Sequence, residues 1–331
     1  MRRLLVLLVV ALGLAPGTWV RSPVPPPDRR QILEITALSI PPADLGPLDL
    51  TGVWQLDSPN DDFGGFSALV SLGGGTLLAA SDRGSTMEFS TPGTRPSRFR
   101  IGYSAVRGYE PTTERDLEAL ARDPASGRIW AAFETVNRIE RYEADFTASA
   151  RVWPDAMRSW SVNQGAEAMV RLADGRFIVL AEGTGQWFRG DMPGLLFPTD
   201  PVESAEPIRF HLTPPAGFRP VDLAQLPDGR VLILLRKVEW GLPPTFAAKL
   251  VVADPAEIAA GRAWRAAPVA DLAAPLPADN YEGLTVESDG RGGATLWVIS
   301  DDNDSRFQRT LLLRLVWRAN DKARGVDRAP Q

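Results

Sequence analysis

Acidic residues recur at one place in a repeated pattern. Glu118, Glu167, Asp222 and Glu282 each open a short apolar run, and Asp82, Glu134, Glu182 and Asp301 each stand at the end of the run that answers it. Carboxylates gathered in this way repel one another, and they stay ionised only where water, arginine or a metal ion compensates them. Arg83, Arg115, Arg219 and Arg236 supply part of that charge. With Asn303, the set offers oxygen donors and no soft ligand, which suits a hard cation, Ca2+ foremost. Such a cation would polarise a phosphoryl or ester oxygen and orient water. Glu118, Glu167 and Glu282 are then the candidates for general acid and base, and Arg83 and Arg236 for gripping an anionic oxygen. The same residues also fit a plainer role, shaping turns or binding backbone N–H groups of neighbouring elements. Asp301-Asp302-Asn303-Asp304 lacks the glycine and terminal glutamate spacing of an EF-hand loop.

What must position these residues is a hairpin written five times. The stretch from Asn163 to Glu182 reads as two apolar, β-prone runs meeting at Asp174-Gly175, a turn dipeptide, and this pairing sets Glu167 opposite Glu182. The same arrangement starts at Ser67, Glu118, Asp222 and Glu282, with turns at Gly73-Gly74-Gly75, Ser126-Gly127, Asp228-Gly229 and Gly290-Arg291-Gly292. The five starts are 51, 49, 55 and 60 residues apart, the period of a propeller blade. The fold class expected is therefore an all-β propeller of five or six blades, its carboxylates on one rim of a central channel.

A ring has to close. Ile32 to Ile40 and Leu48 to Leu56 precede the first hairpin, and Leu311 to Trp317 follows the last, so both termini are expected to share one blade and remove the exposed sheet edges. Asn137 to Tyr142 and Ala148 to Trp153 continue the second repeat, and Lys249 to Ala253 and Trp264 to Leu272 the fourth. Gly84 to Pro96, Gly183 to Pro207 and Asp301 to Gln308 read as irregular loops on the carboxylate rim. Met1-Arg2-Arg3 followed by twelve apolar or small residues has the form of a secretory signal, or of an uncleaved anchor ending near Val20. The expected organisation is a signal or anchor at 1–20, a Pro-rich linker at 21–30, the propeller at 31–319 and a polar tail at 320–331. The location that follows is periplasmic or secreted, with membrane contact only through the N-terminal segment.

Composition narrows the chemistry. The net charge is −5 and the pI about 5.2, which argues against a nucleic-acid partner. Cysteine is absent, so thiol nucleophiles, disulfides and cysteine-held metals are excluded. The single histidine, His211, sits in the alternating run Ile208-Arg209-Phe210-His211-Leu212 and reads as a sheet residue. No Gly-x-Ser-x-Gly elbow is present, and Ser67, standing where other repeats carry a carboxylate, has no visible base.

Phe63-Gly64-Gly65-Phe66-Ser67-Ala68-Leu69 with Ser81-Asp82-Arg83-Gly84, then Asp116-Leu117-Glu118-Ala119-Leu120, Asn163-Gln164-Gly165-Ala166-Glu167-Ala168, and Asn280-Tyr281-Glu282-Gly283-Leu284 with Ser300-Asp301-Asp302-Asn303, resemble the bacterial phytase-like family labelled "esterase-like activity of phytase". The resemblance covers about residues 30 to 318. It implies an exported propeller with a phosphoesterase or esterase activity on a small-molecule ester, working as a monomer. Two rivals stand beside that reading: a lactonase-like propeller with a central Ca2+, and a non-catalytic envelope module. The second would use tryptophans such as Trp153, Trp160, Trp187 and Trp240 as a binding surface.

Overall fold

Turn chemistry decides the hairpins. At Leu172 to Arg176 the Gly175 N–H reaches the Leu172 carbonyl at 2.9 Å and the Leu172 N–H reaches the Arg176 carbonyl at 2.7 Å, with Gly175 at φ +91°. This is a type I turn closed by a left-handed residue, a conformation that glycine adopts without steric cost. Leu226 to Arg230 repeats it, with Gly229 also at φ +91°. The computed structural model describes residues 2–19, 25–102, 116–183, 190–203, 206–242 and 244–318.

An N-terminal helix, α1 (Arg2–Trp19), precedes the strands β1 (Glu34–Ala37) and β2 (Leu48–Asp57). Four sheets follow in chain order. The first holds β3 (Phe66–Gly73), β4 (Thr76–Ser81), β5 (Thr86–Ser90) and β6 (Phe99–Gly102); the second holds β7 (Leu117–Arg122), β8 (Ile129–Phe133), β9 (Arg138–Tyr142) and β10 (Ala148–Val152). The third begins with β11 (Ala166–Arg171), β12 (Phe177–Ala181), β13 (Met192–Phe197) and β14 (Ile208–Leu212). The fourth holds β15 (Arg219–Gln225), β16 (Val231–Glu239), β17 (Thr245–Ala253) and β19 (Ala267–Leu272), while β18 (Ala263–Trp264) crosses back to pair in parallel with β14. The fifth sheet joins β20 (Asn280–Ser288), β21 (Ala294–Asp301) and β22 (Thr310–Trp317) to β2 and β1. The protein is thus a five-bladed β-propeller whose last blade is completed by strands from both ends of the chain.

The blade count, expected as five or six, is five, because β1 and β2 enlarge one blade instead of founding a sixth. Two expectations change. Trp264 belongs to the third blade and not the fourth, where its ring packs edge-on against Phe210 at 5.6 Å. The segments 84–96 and 183–207 are not loops throughout, since β5 and β13 run inside them.

The first strand of every hairpin is innermost, and β3, β7, β11, β15 and β20 contact one another in a ring. Leu69, Leu120, Met169, Leu223 and Leu284 occupy the same place on these strands, each fully or almost fully buried and each in a different apolar cluster between neighbouring blades. Burying such side chains contributes about 1.5–3 kcal/mol apiece. Polar ties bind all five seams. Ser71 donates to Glu287 at 2.5 Å, Arg122 to the Ser71 carbonyl at 3.3 Å, Arg171 pairs with Asp123 at 3.4 Å, and Gln225 accepts from the Ala173 N–H at 2.7 Å. The fifth seam is closed by Asp222, which accepts the Leu284 N–H at 2.6 Å.

Residues 2–13 of α1 are exposed, Leu4 by 73%. Among the described residues, no helix is long and apolar enough to cross a membrane.

Candidate active site

Each innermost strand carries a β-bulge at its rim end, and the bulge decides what faces the channel. The ladder skips Ser67, Glu118, Glu167 and Glu282, which therefore have no partner across the hairpin. A bulged residue is released from the pleat and its side chain re-aimed. The pairing of Glu167 with Glu182 is accordingly replaced by Ala166 against Ala181, with Glu167 as the extra residue. In the fourth blade the skipped residue is Val221, one place before the acid. Asp222 thus returns to the ladder and leaves the rim. Its two oxygens accept the N–H groups of Leu223 at 2.7 Å and Leu284 at 2.6 Å, so it clamps two blades and is not among the rim oxygens.

Arg236, on β16, organises the rim. Its Nη1 donates to Glu282 Oε1 at 2.6 Å and Asn280 Oδ1 at 3.1 Å, its Nη2 donates to Glu182 Oε1 at 3.0 Å, and Glu167 Oε1 lies 3.9 Å away. Burial works against its charge, but Glu282, Glu182 and Glu167 outweigh that and raise its pKa further. Arg219 holds the other oxygen of Glu182 at 3.0 Å. Asn280 donates to Glu282 at 2.8 Å and reaches Asp301 at 3.5 Å.

Beside this network, Asp116, Glu118 and Glu134 bring carboxylate oxygens within 4.8 Å of one another, a set that could hold a metal ion. Glu134 accepts the Gly165 N–H at 3.0 Å, and the Thr135 hydroxyl donates to Asp116. Among the described residues, the carboxyls of Glu118 and Glu167 have no hydrogen bond, and one oxygen of Asp82 is buried without a hydrogen bond, with Arg83 Nε 4.0 Å away. Gly65 makes room there, since a Cβ on it would lie 2.7 Å from that Asp82 oxygen. Closely spaced oxygens of hard donor type fit a divalent cation of the Ca2+ or Mg2+ kind.

Burial, and then the charges of Glu167 and Glu282, push the Glu118 carboxyl well above the usual range. Burial with Glu182 and Glu134 does the same to Glu167, although Arg236 opposes it. Glu134 is pushed up to about 8 by burial and by Asp116, and Asp301 to about 8 by burial and by Glu282. Glu282 is raised less, because Arg236 and Asn280 offset its burial.

A pH dependence follows. These carboxyls hold protons in the folded chain that the unfolded chain has lost, so folding takes up protons between about pH 4, the ordinary carboxylate range, and about pH 8. Stability of the metal-free protein is therefore highest near or below pH 4–5 on account of these groups, and falls as pH rises towards 8. We expect a Tm lower by roughly 10 °C at pH 8 than at pH 5, recovered by a bound cation. A Tm that is flat or rising across that interval by scanning calorimetry would contradict the neutral state of the cluster.

The remaining candidates lie to one side. Arg83 donates to the carbonyls of Phe63 and Gly64 at 3.2 Å and pairs with Asp304 at 3.0 Å, apart from the Arg236 network. Asn303 is exposed at φ +48°, and its contribution is a backbone N–H to Asp301 at 2.7 Å. Arg115 and Trp187 lie outside the described residues. His211 is a strand residue of β14, opposite Pro193 on one side and Ala263 on the other. Asp116 and Asn280 were not singled out as site residues by the repeat. Each stands two positions before a rim glutamate, in Asp116-Leu117-Glu118 and Asn280-Tyr281-Glu282.

A closed five-bladed ring with an acidic, arginine-braced mouth is the class of protein defined here. The chain belongs to the phytase-like family described as "Esterase-like activity of phytase", whose model matches residues 61–304. No curated protein matches its sequence. Among solved structures it is similar to the PQQ-bound aldose sugar dehydrogenase of Streptomyces coelicolor, at 14% identity over 87% of this chain and 100% of that one, with a TM-score of 0.46. It is also similar to XC5397, a gluconolactonase of Xanthomonas campestris, at 12% identity over 84% and 98% of the two chains, with a TM-score of 0.42. Against hydrazine synthase of Kuenenia stuttgartiensis the match covers 73% of this chain and 58% of that one, at 14% identity and a TM-score of 0.40.

Proposed function

We propose that the protein is a metal-dependent hydrolase of phosphate or other esters, with Asp116, Glu118 and Glu134 holding a cation, Ca2+ in our reading. One observation carries this. The channel mouth gathers more carboxylates than its arginines neutralise, and it leaves Glu118, Glu167 and an Asp82 oxygen without hydrogen bonds among the described residues. A set serving only structure would spend its oxygens on N–H groups, as Asp222 does.

When bound, the cation supplies polarisation of the ester oxygen and a lower pKa for water. The chain's own residues do the rest. Arg236 and Arg219 fix both oxygens of Glu182, and Arg236 with Asn280 fixes Glu282, so the charged wall keeps its shape. Glu167, 7% exposed and raised well above the usual carboxylate range by burial, is the group placed to pass a proton to the leaving oxygen. A lactone is an internal ester and falls within the same chemistry. The protein is further proposed to act as a monomer, exported to the periplasm or beyond by the segment that forms α1.

Calorimetric titration of the metal-stripped protein with Ca2+, and with Mg2+ for comparison, tests the assignment. Saturable Ca2+ binding that weakens at least about tenfold in Glu118→Gln and Glu134→Gln is expected, the scale of losing a ligand or its support. Hydrolysis of 4-nitrophenyl phosphate, 4-nitrophenyl acetate and a γ-lactone by the loaded protein then sorts the ester class. No binding at millimolar Ca2+ would overturn the metal assignment and favour the binding-module reading.

A further inference from the structure

A cavity of about 850 Å³ opens between the third and fourth blades, and the Arg236, Glu182 and Arg219 chain forms its inner wall. The rest of its lining is of a different character. Pro214, Pro215, Phe218, Met192 and Trp240 give it apolar walls, and Lys237 is the cation at its side. Trp240 follows the end of β16 and is 85% exposed, an aromatic face turned to solvent on the lip of a cavity. Apolar and aromatic walls with a few polar groups are the usual lining of a small-molecule site. The Lys237 ammonium is 5.9 Å from the Phe218 ring centre and meets Glu239 only at 3.6 Å, on a side chain that is partly exposed. Gly183 presents bare backbone to the cavity, because a Cβ there would lie 2.8 Å from Gln164 Oε1 and 3.4 Å from Arg219 Nη1.

Charge separates the two compartments. On the channel side of Arg236 stand Asp116, Glu118, Glu134, Glu167 and Glu282; on the cavity side, among the described residues, Arg219, Arg236 and Lys237 face Glu182, with Glu239 3.6 Å from Lys237. The cavity is thus a cationic and aromatic annex to an acidic mouth. We infer that it binds an aromatic or alicyclic carboxylate, ring face on Trp240 and acid group on Lys237. A flat ring recovers the exposed indole area, and a single anion answers the local excess of positive charge. Where the hydrolase reading holds, this ligand is the acid half of a carboxylic ester cleaved at the rim. Water adds to the acyl carbon, the acyl–oxygen bond breaks, the alcohol leaves with the proton, and the acid ionises beside Lys237. That assignment of substrate class rests on the hydrolase reading; the binding itself does not.

Calorimetry of the whole protein with phenylacetate, run without metal, tests the binding, with benzylamine and inorganic phosphate as comparisons. Saturable phenylacetate binding is expected, and none with benzylamine. Trp240→Ala should weaken it about fivefold, as for loss of one aromatic contact, and Lys237→Gln about threefold, as for loss of a half-exposed ion pair. Ca2+ binding and Tm should stay unchanged in both, since Trp240 is exposed and neither residue touches the acid triad. Absent phenylacetate binding, equal affinity in both variants, or phosphate binding as well as phenylacetate would each overturn the inference. Phenylacetate binding in a protein that cleaves no ester would leave the cavity assignment standing and sink the hydrolase reading alone.

Discussion

Glu167→Gln is expected to lower ester turnover by about a hundredfold or more, the share that a positioned proton-transfer group commonly contributes. Burial and its acidic neighbours raise the Glu167 carboxyl well above the usual range, and an amide of the same shape replaces it with little structural change. Ca2+ affinity and Tm should therefore survive while kcat falls, and the pH–rate profile should lose one limb. Glu282→Gln should also remove turnover, but with a loss of stability, because it breaks the 2.6 Å pair with Arg236. Unchanged turnover in both variants would remove the rim carboxyls from the mechanism.

Arg236→Met should produce the largest change in stability. Its guanidinium is 17% exposed and faces Glu182, Glu282 and, at longer range, Glu167. Removing one partner of a buried ionic network leaves uncompensated charge, at a cost of about 3–5 kcal/mol. The sign of its pH dependence is fixed by the carboxyls. Arg236 favours their ionised forms, so its loss matters where they would otherwise carry charge and fades as they take up protons. The destabilisation measured by urea unfolding should be greatest near pH 8 and small near pH 4–5, and Ca2+ should restore part of it. An equal loss at both pH values would mean that Arg236 contributes packing and not charge compensation.

The ring was readable because its signal is periodic. Asp174-Gly175 and Asp228-Gly229 announce turns through chemistry internal to a few residues, and the apolar places of Leu69, Leu120, Met169, Leu223 and Leu284 recur at blade spacing. The shared last blade was readable for the related reason that unpaired strands remained at both ends. What escaped were features set by one-residue offsets. The bulge at Val221 instead of at the acid turns Asp222 from a rim group into a clamp, and nothing in Pro220-Val221-Asp222 marks that slip. Arg83 is turned to Asp304 with Asp82 Oδ1 4.0 Å from its Nε, and Asn303 meets Asp301 through its backbone N–H, neither of which the repeat announces. Trp264 is a longer-range case. It leaves its own repeat for the neighbouring blade, a choice made by the Phe210 surface that receives it.

The blade shared by β2 and β22 also sets a timetable. β2 is among the first strands to be synthesised and β22 the last, so the ladder from Leu48–Trp317 to Leu56–Thr310 cannot form until nearly the whole chain exists. Until then β2 waits with an open edge, and the four complete blades have no seal. Contacts this distant along the chain form late and slowly. The latch that locks the ring is thus carried by the strand made late, and closure of the propeller is a final step of folding.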